Sequence, residues 1–219
     1  MGLGGLDGQG QSTLLQGIFG LLKGTRGVIK VNGAAIPLTG PKQAKQAQIG
    51  LAYIPEDRKA DGLIQDQSIA ENLELAALGR PDLNATDPAL YDDALQRLEL
   101  KHGGLDLPVS SLSGGNQQKV VLAKWLALAP KVLLLSDPTR GIDVKTKTQI
   151  YGLLRELADR GTAILLLSTD YEELIHLCDE THVFYGGRIT RSLTGDGLTA
   201  QNIIAASLNI PSAKDIENA

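Results

Sequence analysis

Two glycine-containing stretches have the residue types and spacing to bind phosphate. The first, Gly5-Leu6-Asp7-Gly8-Gln9-Gly10-Gln11-Ser12-Thr13, follows the spacing G-x-x-x-x-G-K-[ST]. Closely spaced glycines let successive backbone N–H groups converge on phosphate oxygens, and the next helix points its positive end at the same anion. Spacing and Ser12 match, but Gln11 stands where the lysine belongs. Taken alone, the stretch reads equally well as a flexible tail. The second, Leu112 to Lys119, is LSGGNQQK. Here Ser113, Gly114 and Gly115 precede an amphipathic helix and offer it a hydroxyl and free N–H groups at an anion-binding end. A plain helix cap explains Ser113 but not two glycines followed by Asn116-Gln117-Gln118-Lys119.

The elements around these stretches alternate between helix and strand. Gln11 to Lys23 reads as a helix, Gly27 to Val31 as a strand closed by the Asn32-Gly33 turn, and Ile49 to Tyr53 as a strand closed by Pro55. From Ser68 to Ala129 the pattern is helical. Ser68 with Glu71 makes a capping box, and Asp87-Pro88 opens a helix with Leu90, Ala94, Leu95 and Leu98 on one side. A third helix runs from Ser113 to Ala129 and stops at Pro130.

Lys131 to Leu135 and Ala163 to Leu167 are short apolar runs of the kind buried on both faces of a parallel sheet. Between them Ile150, Leu153, Leu154 and Leu157 mark an amphipathic helix that ends at Gly161. Tyr171 to Leu177 reads as a short helix, and Val183 to Tyr185 with Gly186-Gly187 as a hairpin into Arg188 to Ser192. A last helix covers Ala200 to Leu208, ahead of a polar tail. The sum is an α/β core interrupted by a helical lobe. As one domain over 1–219, the core lobe takes 1–63 and 130–195, the helical lobe 64–129, and the C-terminal helix and tail 196–219.

Composition narrows the function classes. Lys and Arg number 21 against 25 Asp and Glu, a net charge of −4, which argues against a protein that coats nucleic acid. The single cysteine, Cys178, excludes an internal disulfide and a cysteine zinc site. No apolar stretch approaches the roughly 18 residues of a membrane span, and the N-terminus lacks the pattern of a signal peptide. Glycine is 25 of 219 residues, and four of the first eight are glycine, so the excess points at the first phosphate stretch.

LSGGNQQK closely resembles the signature motif of ATP-binding cassette (ABC) proteins, in the variant typical of bacterial sugar and nucleoside importers. A third segment, Val132-Leu133-Leu134-Leu135-Ser136-Asp137-Pro138-Thr139-Arg140-Gly141-Ile142-Asp143, resembles the strand, Asp-Glu-Pro and loop Asp of that family. Tyr53-Ile54-Pro55-Glu56-Asp57-Arg58-Lys59 resembles its segment facing the membrane subunits, with Glu56 in place of the usual Gln. The chain as a whole is similar to the second nucleotide-binding half of a sugar-type ABC importer ATPase. The resemblance implies a P-loop NTPase core with a mainly parallel sheet and an inserted helical subdomain.

By the same resemblance the nucleotide is ATP with Mg²⁺. Gly5, Gly8, Gly10, Gln11, Ser12 and Thr13 would hold one nucleotide. Ser113, Gly114, Gly115 and Gln117 would hold a partner's, with Asp143 also at the nucleotide interface. Ser12, Glu56 and Ser136 would stand near Mg²⁺; Asp137, Thr169 and Glu56 would take the catalytic positions. Implied partners are a second nucleotide-binding half, transmembrane permease subunits and, indirectly, a solute-binding protein, at the cytoplasmic face of the inner membrane; no nucleic acid is implied.

Several positions depart from the family pattern. Gln11 replaces the lysine, a loss of a charge-assisted contact worth roughly 1.5–3 kcal/mol. Ser136 replaces the Mg²⁺-side Asp, Asp137 the catalytic Glu, and Thr169 the switch His. Together these predict a degraded site on the chain's own loop beside an intact signature that completes the partner's site. Only Met1 to Gly4 precede Gly5, which predicts a missing strand ahead of the loop, low stability, and a shortened or half-length chain. A non-hydrolysing dimerisation module is the alternative reading. A chromosome-associated or repair ATPase fits less well, because no long heptad arm or basic tract is present.

Overall fold

Apolar runs bounded by turn residues form the strands, and the periodic stretches form the helices that cover them. The computed structural model describes all residues except Asn32, Pro37, Leu38, Ala47 and 211–219. The first part of the chain contains β1 (Gly2–Gly5), α1 (Gln11–Phe19), β2 (Ile29–Val31), β3 (Ala34–Ile36), α2 (Pro41–Ala44) and β4 (Leu51–Ile54). The inserted lobe carries α3 (Ile69–Glu74), α4 (Asp92–Arg97) and α5 (Gly114–Leu126). The chain then returns through β5 (Val132–Ser136), α6 (Val144–Asp159), β6 (Ala163–Leu167), α7 (Tyr171–Leu177), β7 (Glu180–Tyr185), β8 (Arg188–Thr194) and α8 (Ala200–Ser207).

Six strands form one sheet in the order β4-β5-β6-β1-β7-β8, parallel throughout except for β8, which runs antiparallel to β7. Along β5 the side chains alternate between two cores. Leu133 and Leu135 pack with Leu122 and Ile150, whereas Leu134 packs with Leu3, Leu15 and Phe19. A strand covered on both faces must be apolar at every position, which is why this run shows no polar alternation. In β6 only Leu166 and Leu167 are buried; Ala163 at its start is exposed.

The strand ahead of the phosphate loop is present, which corrects the expectation that it is missing. Gly2 pairs with Leu166 and Thr181, and Leu3 with Leu167 and His182, so β1 lies inside the sheet. Glycine suits it because α7 and β7 press close: a Cβ on Gly2 would lie 2.6 Å from Thr181 Oγ1 and 3.0 Å from Cys178 Sγ. The inference of low stability from a missing core strand falls with it.

Other boundaries shift by a few residues. The first helix stops at Phe19 instead of Lys23, because Gly20 (φ 83°) takes the left-handed cap and donates to Gln16 and Gly17 carbonyls. The Ser68–Glu71 capping box forms as expected. Pro88–Leu90 is a 3₁₀ turn ahead of α4 rather than its first turn. β2 and β3 pair as an antiparallel hairpin; Asn32 of the expected Asn32-Gly33 turn, and the polar tail at 211–219, lie outside the described residues.

One hydrophobic core runs through both lobes, and a buried lysine adds a polar link between them. Lys124 of α5 is 6% exposed and donates through Nζ to the Gly62 carbonyl, at the end of a π-helical turn over Arg58–Gly62. Burial lowers its pKa to about 8. The unfolded chain keeps this proton to about pH 10.5, so between the two values the unfolded state binds more protons and stability rises with pH. Urea denaturation at pH 7.5 and 9.5 is expected to show wild type gaining on Lys124→Met by up to about 1.4 kcal/mol per pH unit above pH 8.

Candidate functional site

The phosphate loop connects β1 to α1 and is built from backbone. Gly5, Gly8 and Gly10 have φ of 130°, 75° and 106°, conformations that side-chain-bearing residues rarely adopt. The loop is anchored at two points. Gln9 Oε1 accepts from the Gly186 N–H at 2.8 Å, which ties it to the β7–β8 turn. Gln11, only 3% exposed, donates through Nε2 to the carbonyls of Gly4 (3.2 Å) and Leu6 (3.1 Å). The amide is thus engaged inside the loop and is not directed outward. Ser12 is part-buried and Thr13 exposed in the first turn of α1, which holds no acidic residue to oppose an anion.

A second group forms where β5 and β6 end side by side. Ser136 is 1% exposed, and its hydroxyl makes no complete hydrogen bond. Asp137 adopts φ 41° and is 6% exposed. Its Oδ1 accepts from the Thr169 amide at 2.8 Å and the Thr169 hydroxyl at 3.1 Å. Burial raises the Asp137 pKa, and the two bonds from Thr169 oppose that rise. Asp137 and Thr169, matched above to the catalytic positions, therefore meet in space. Glu56 does not join them: it forms an ion pair with Arg140.

The signature segment opens α5. Ser113 is its N-cap, with Oγ 3.4 Å from the Asn116 amide and 3.2 Å from Asn116 Nδ2. Both glycines are closely approached, Gly114 by the movable end of an arginine and Gly115 by two short side chains. A Cβ on Gly114 would lie 2.8 Å from the Arg58 guanidinium, and one on Gly115 2.8 Å from Thr146 Oγ1 and 3.2 Å from Asp143 Oδ2. Asp143 caps α6, with its carboxylate on the Thr146 amide (3.0 Å) and hydroxyl (2.8 Å), so it belongs to the signature side of the molecule. Gln117 is buried and points inward, donating to the Val109 and Leu112 carbonyls at 3.3 Å each.

Residues 1–140 match the family model described as ABC transporter. The chain belongs to the ABC transporter family. Its relatives include the ribose import ATP-binding protein RbsA 1 of Mesorhizobium japonicum, 50% identical over 96% of this chain and 42% of that protein. The ribose import ATP-binding protein RbsA of Shigella dysenteriae is 37% identical over 97% of this chain and 42% of that protein. The chain thus spans less than half the length of these curated relatives. Among solved structures, a nucleotide-free ATP-binding cassette from an ABC transporter covers 99% of this chain and 85% of its own, with a TM-score of 0.77 and 21% identity. A dimeric cassette in a post-hydrolysis state bound to ADP and Pi covers 88% of this chain and 84% of its own, at a TM-score of 0.73 and 21% identity. The fold is the ABC cassette: a P-loop NTPase core with a mainly parallel sheet.

Two residues have contacts that sequence reasoning did not assign. Arg58 links three parts: Nη1 donates to the Arg140 carbonyl at 3.2 Å, Nη2 lies over Gly114, and the neighbouring Asp57 caps the π-helical turn. Glu173 is 3% exposed and gathers hydroxyl and amine donors from three elements. Its only sequence signal is an acidic residue on the buried side of a short helix, which one period of heptad-like spacing cannot distinguish from a solvated one. Trp125 packs edge-on against Phe19 at 5.6 Å, as the core role predicts. Among the histidines, His182 Nδ1 meets Ser192 Oγ at 2.7 Å and His176 lies 3.7 Å from Glu172, both away from this site.

Two outcomes check this geometry. Thr169→Val removes a donor to the ionised Asp137, so the carboxyl pKa, followed by carbon NMR, is expected to rise further. Gly115→Ala is expected to destabilise the chain by about 1–3 kcal/mol in chemical denaturation, with Thr146→Ala in the same chain recovering part of that loss because it removes the closest atom.

Proposed function

We propose that the chain is a nucleotide-binding half of an importer ATPase for ribose or a related small sugar, and that its two phosphate-facing elements serve different nucleotides. The observation that carries this reading is the contrast between them. The Gln11 amide is folded into its own loop, whereas at the N-terminus of the 13-residue α5 Ser113 is exposed and Gly114 half-buried, with Gly115 buried behind them. High identity to ribose import ATP-binding proteins over 96% of the chain supports the sugar class. The partners on this reading are a second nucleotide-binding half, permease subunits and, through them, a solute-binding protein, with the chain at the cytoplasmic face of the membrane. Among the described residues no helix is long and apolar enough to cross a membrane.

The residues fit a polyphosphate better than they fit a cation. Glycine N–H groups at 5–10 and the Ser12 and Thr13 hydroxyls suit ATP. For Mg²⁺ the candidates are the Ser12 hydroxyl and the Ser136 hydroxyl, which is buried without a completed bond. Glu56 is drawn away by Arg140, and the described residues contain no group of three or more acidic, His or Cys side chains placed for a metal. When bound, Mg²⁺-ATP supplies the electrophilic phosphoryl group. Asp137 on this reading orients the attacking water, with one of its oxygens engaged by Thr169. Turnover at this chain's own loop is accordingly slow, and the chain contributes its signature to the faster site on the partner.

ATPase assays of the assembled complex test the asymmetry. Ser113→Arg is expected to cut turnover on the order of a hundredfold, as the loss of an oriented charge-stabilising contact does. Gln11→Ala is expected to cost less than about tenfold, the scale of one neutral hydrogen bond. Equal losses from the two variants would overturn the assignment. Hydrolysis by the purified chain, with and without its partner half, separates this from a dimerisation module that binds nucleotide and never turns it over.

A further inference from the structure

We propose that Glu173 is a positioning residue that locks the Asp137–Arg140 loop to the Ser168–Asp170 loop and so holds Asp137 and Thr169 in register. Its carboxylate is enclosed by donors from three directions. Oε1 accepts from the Thr139 hydroxyl on the first loop, from Tyr151 OH at 2.7 Å and from Lys147 Nζ at 3.2 Å, both on α6. Oε2 accepts from Ser168 Oγ at 2.8 Å on the second loop, and Ser168 Oγ in turn accepts from the Asp170 amide at 3.0 Å.

The physical argument starts from cost. A carboxylate buried to 3% exposure is expensive unless its oxygens are fully bonded and a countercharge is near. Here Lys147 is that countercharge, shared with Asp170 at 3.4 Å. Such a group tolerates no loosening, since releasing Thr139 or Ser168 leaves lone pairs unsatisfied in a dry site. The two loops it joins are the ones that meet at the Asp137–Thr169 bonds. Asp137 also needs outside support, because φ 41° is an unfavourable conformation for a residue with a side chain. The Asp137 amide is fixed by the Leu167 carbonyl at 2.9 Å, and Pro138 and Thr139 follow directly. Glu173 is therefore the link that closes a ring from β5 through Asp137, Thr169 and Ser168 back to Thr139.

The effect on turnover rests on the function proposed above; the positioning itself does not. Amide exchange by NMR on the full-length chain reads the positioning directly. In Glu173→Gln the Thr169 amide, which donates to Asp137, is expected to exchange about tenfold faster, while interior amides of β5 and α5 change less than about twofold. If that variant fails to fold, Tyr151→Phe and Thr139→Val each remove one donor, and each is expected to speed Thr169 exchange about threefold. Unchanged Thr169 exchange would overturn the proposal, and so would equal acceleration across the sheet, which marks a purely global effect. In the assembled ATPase, Glu173→Gln is expected to lower kcat with KM for ATP held constant. Faster Thr169 exchange with unchanged kcat upholds the positioning and removes the role proposed for Asp137.

Discussion

Seating β1 between β6 and β7 determines where the glycine loop lies. The strand brings only one large side chain, Leu3, into the core, so its position comes from backbone pairing on both sides rather than from packing of its own. That pairing starts the glycine loop beside the ends of β6 and β7. The Gly186 amide of the β7–β8 turn then reaches Gln9, and Gln11 closes the loop from within. A strand rich in glycine is weak in isolation. It holds here because two neighbours and α7 leave space for nothing larger.

The same crowding governs the signature. Gly114 and Gly115 read from sequence as openings for an anion, yet Gly115 is also demanded within the chain by Thr146 and Asp143, and the Arg58 guanidinium packs over Gly114. These requirements do not compete, since a helix N-terminus without Cβ atoms presents its N–H groups and admits close packing at once. The consequence is that the signature, the Asp143 cap of α6 and the Arg58 segment are mechanically one piece. Lys124 and its bond to Gly62 join that piece to the far end of α5.

Three acidic groups around the strand ends are engaged. Asp137 is bonded by Thr169, Glu56 by Arg140, and Glu173 by four donors. This contrasts with an arrangement that leaves carboxylates free for a cation, and it agrees with the replacement of family residues at 11, 136, 137 and 169. On the function proposed above, the chain lacks chemical groups at its own loop while keeping the scaffold that would place them.

Much of this was legible in the residues themselves. The runs at 131–135 and 163–167, the capping box at Ser68 and the helix marked by Ile150, Leu153, Leu154 and Leu157 follow from local periodicity and capping, which operate within a few residues of chain. The family resemblance and the positions that depart from its pattern follow from motif spacing. The strand at Gly2–Gly5 was not legible, because glycine carries no β signal and its partners lie more than 160 residues away. The diversion of Glu56 to Arg140, 84 residues on, and the enclosure of Glu173 were likewise decided by tertiary structure, whereas the inward turn of Gln11 is a local contact with carbonyls five and seven residues back that no propensity signals. Sequence determines which groups are available and in what local order; which of them remain free for a ligand depends on partners brought together only when the sheet closes.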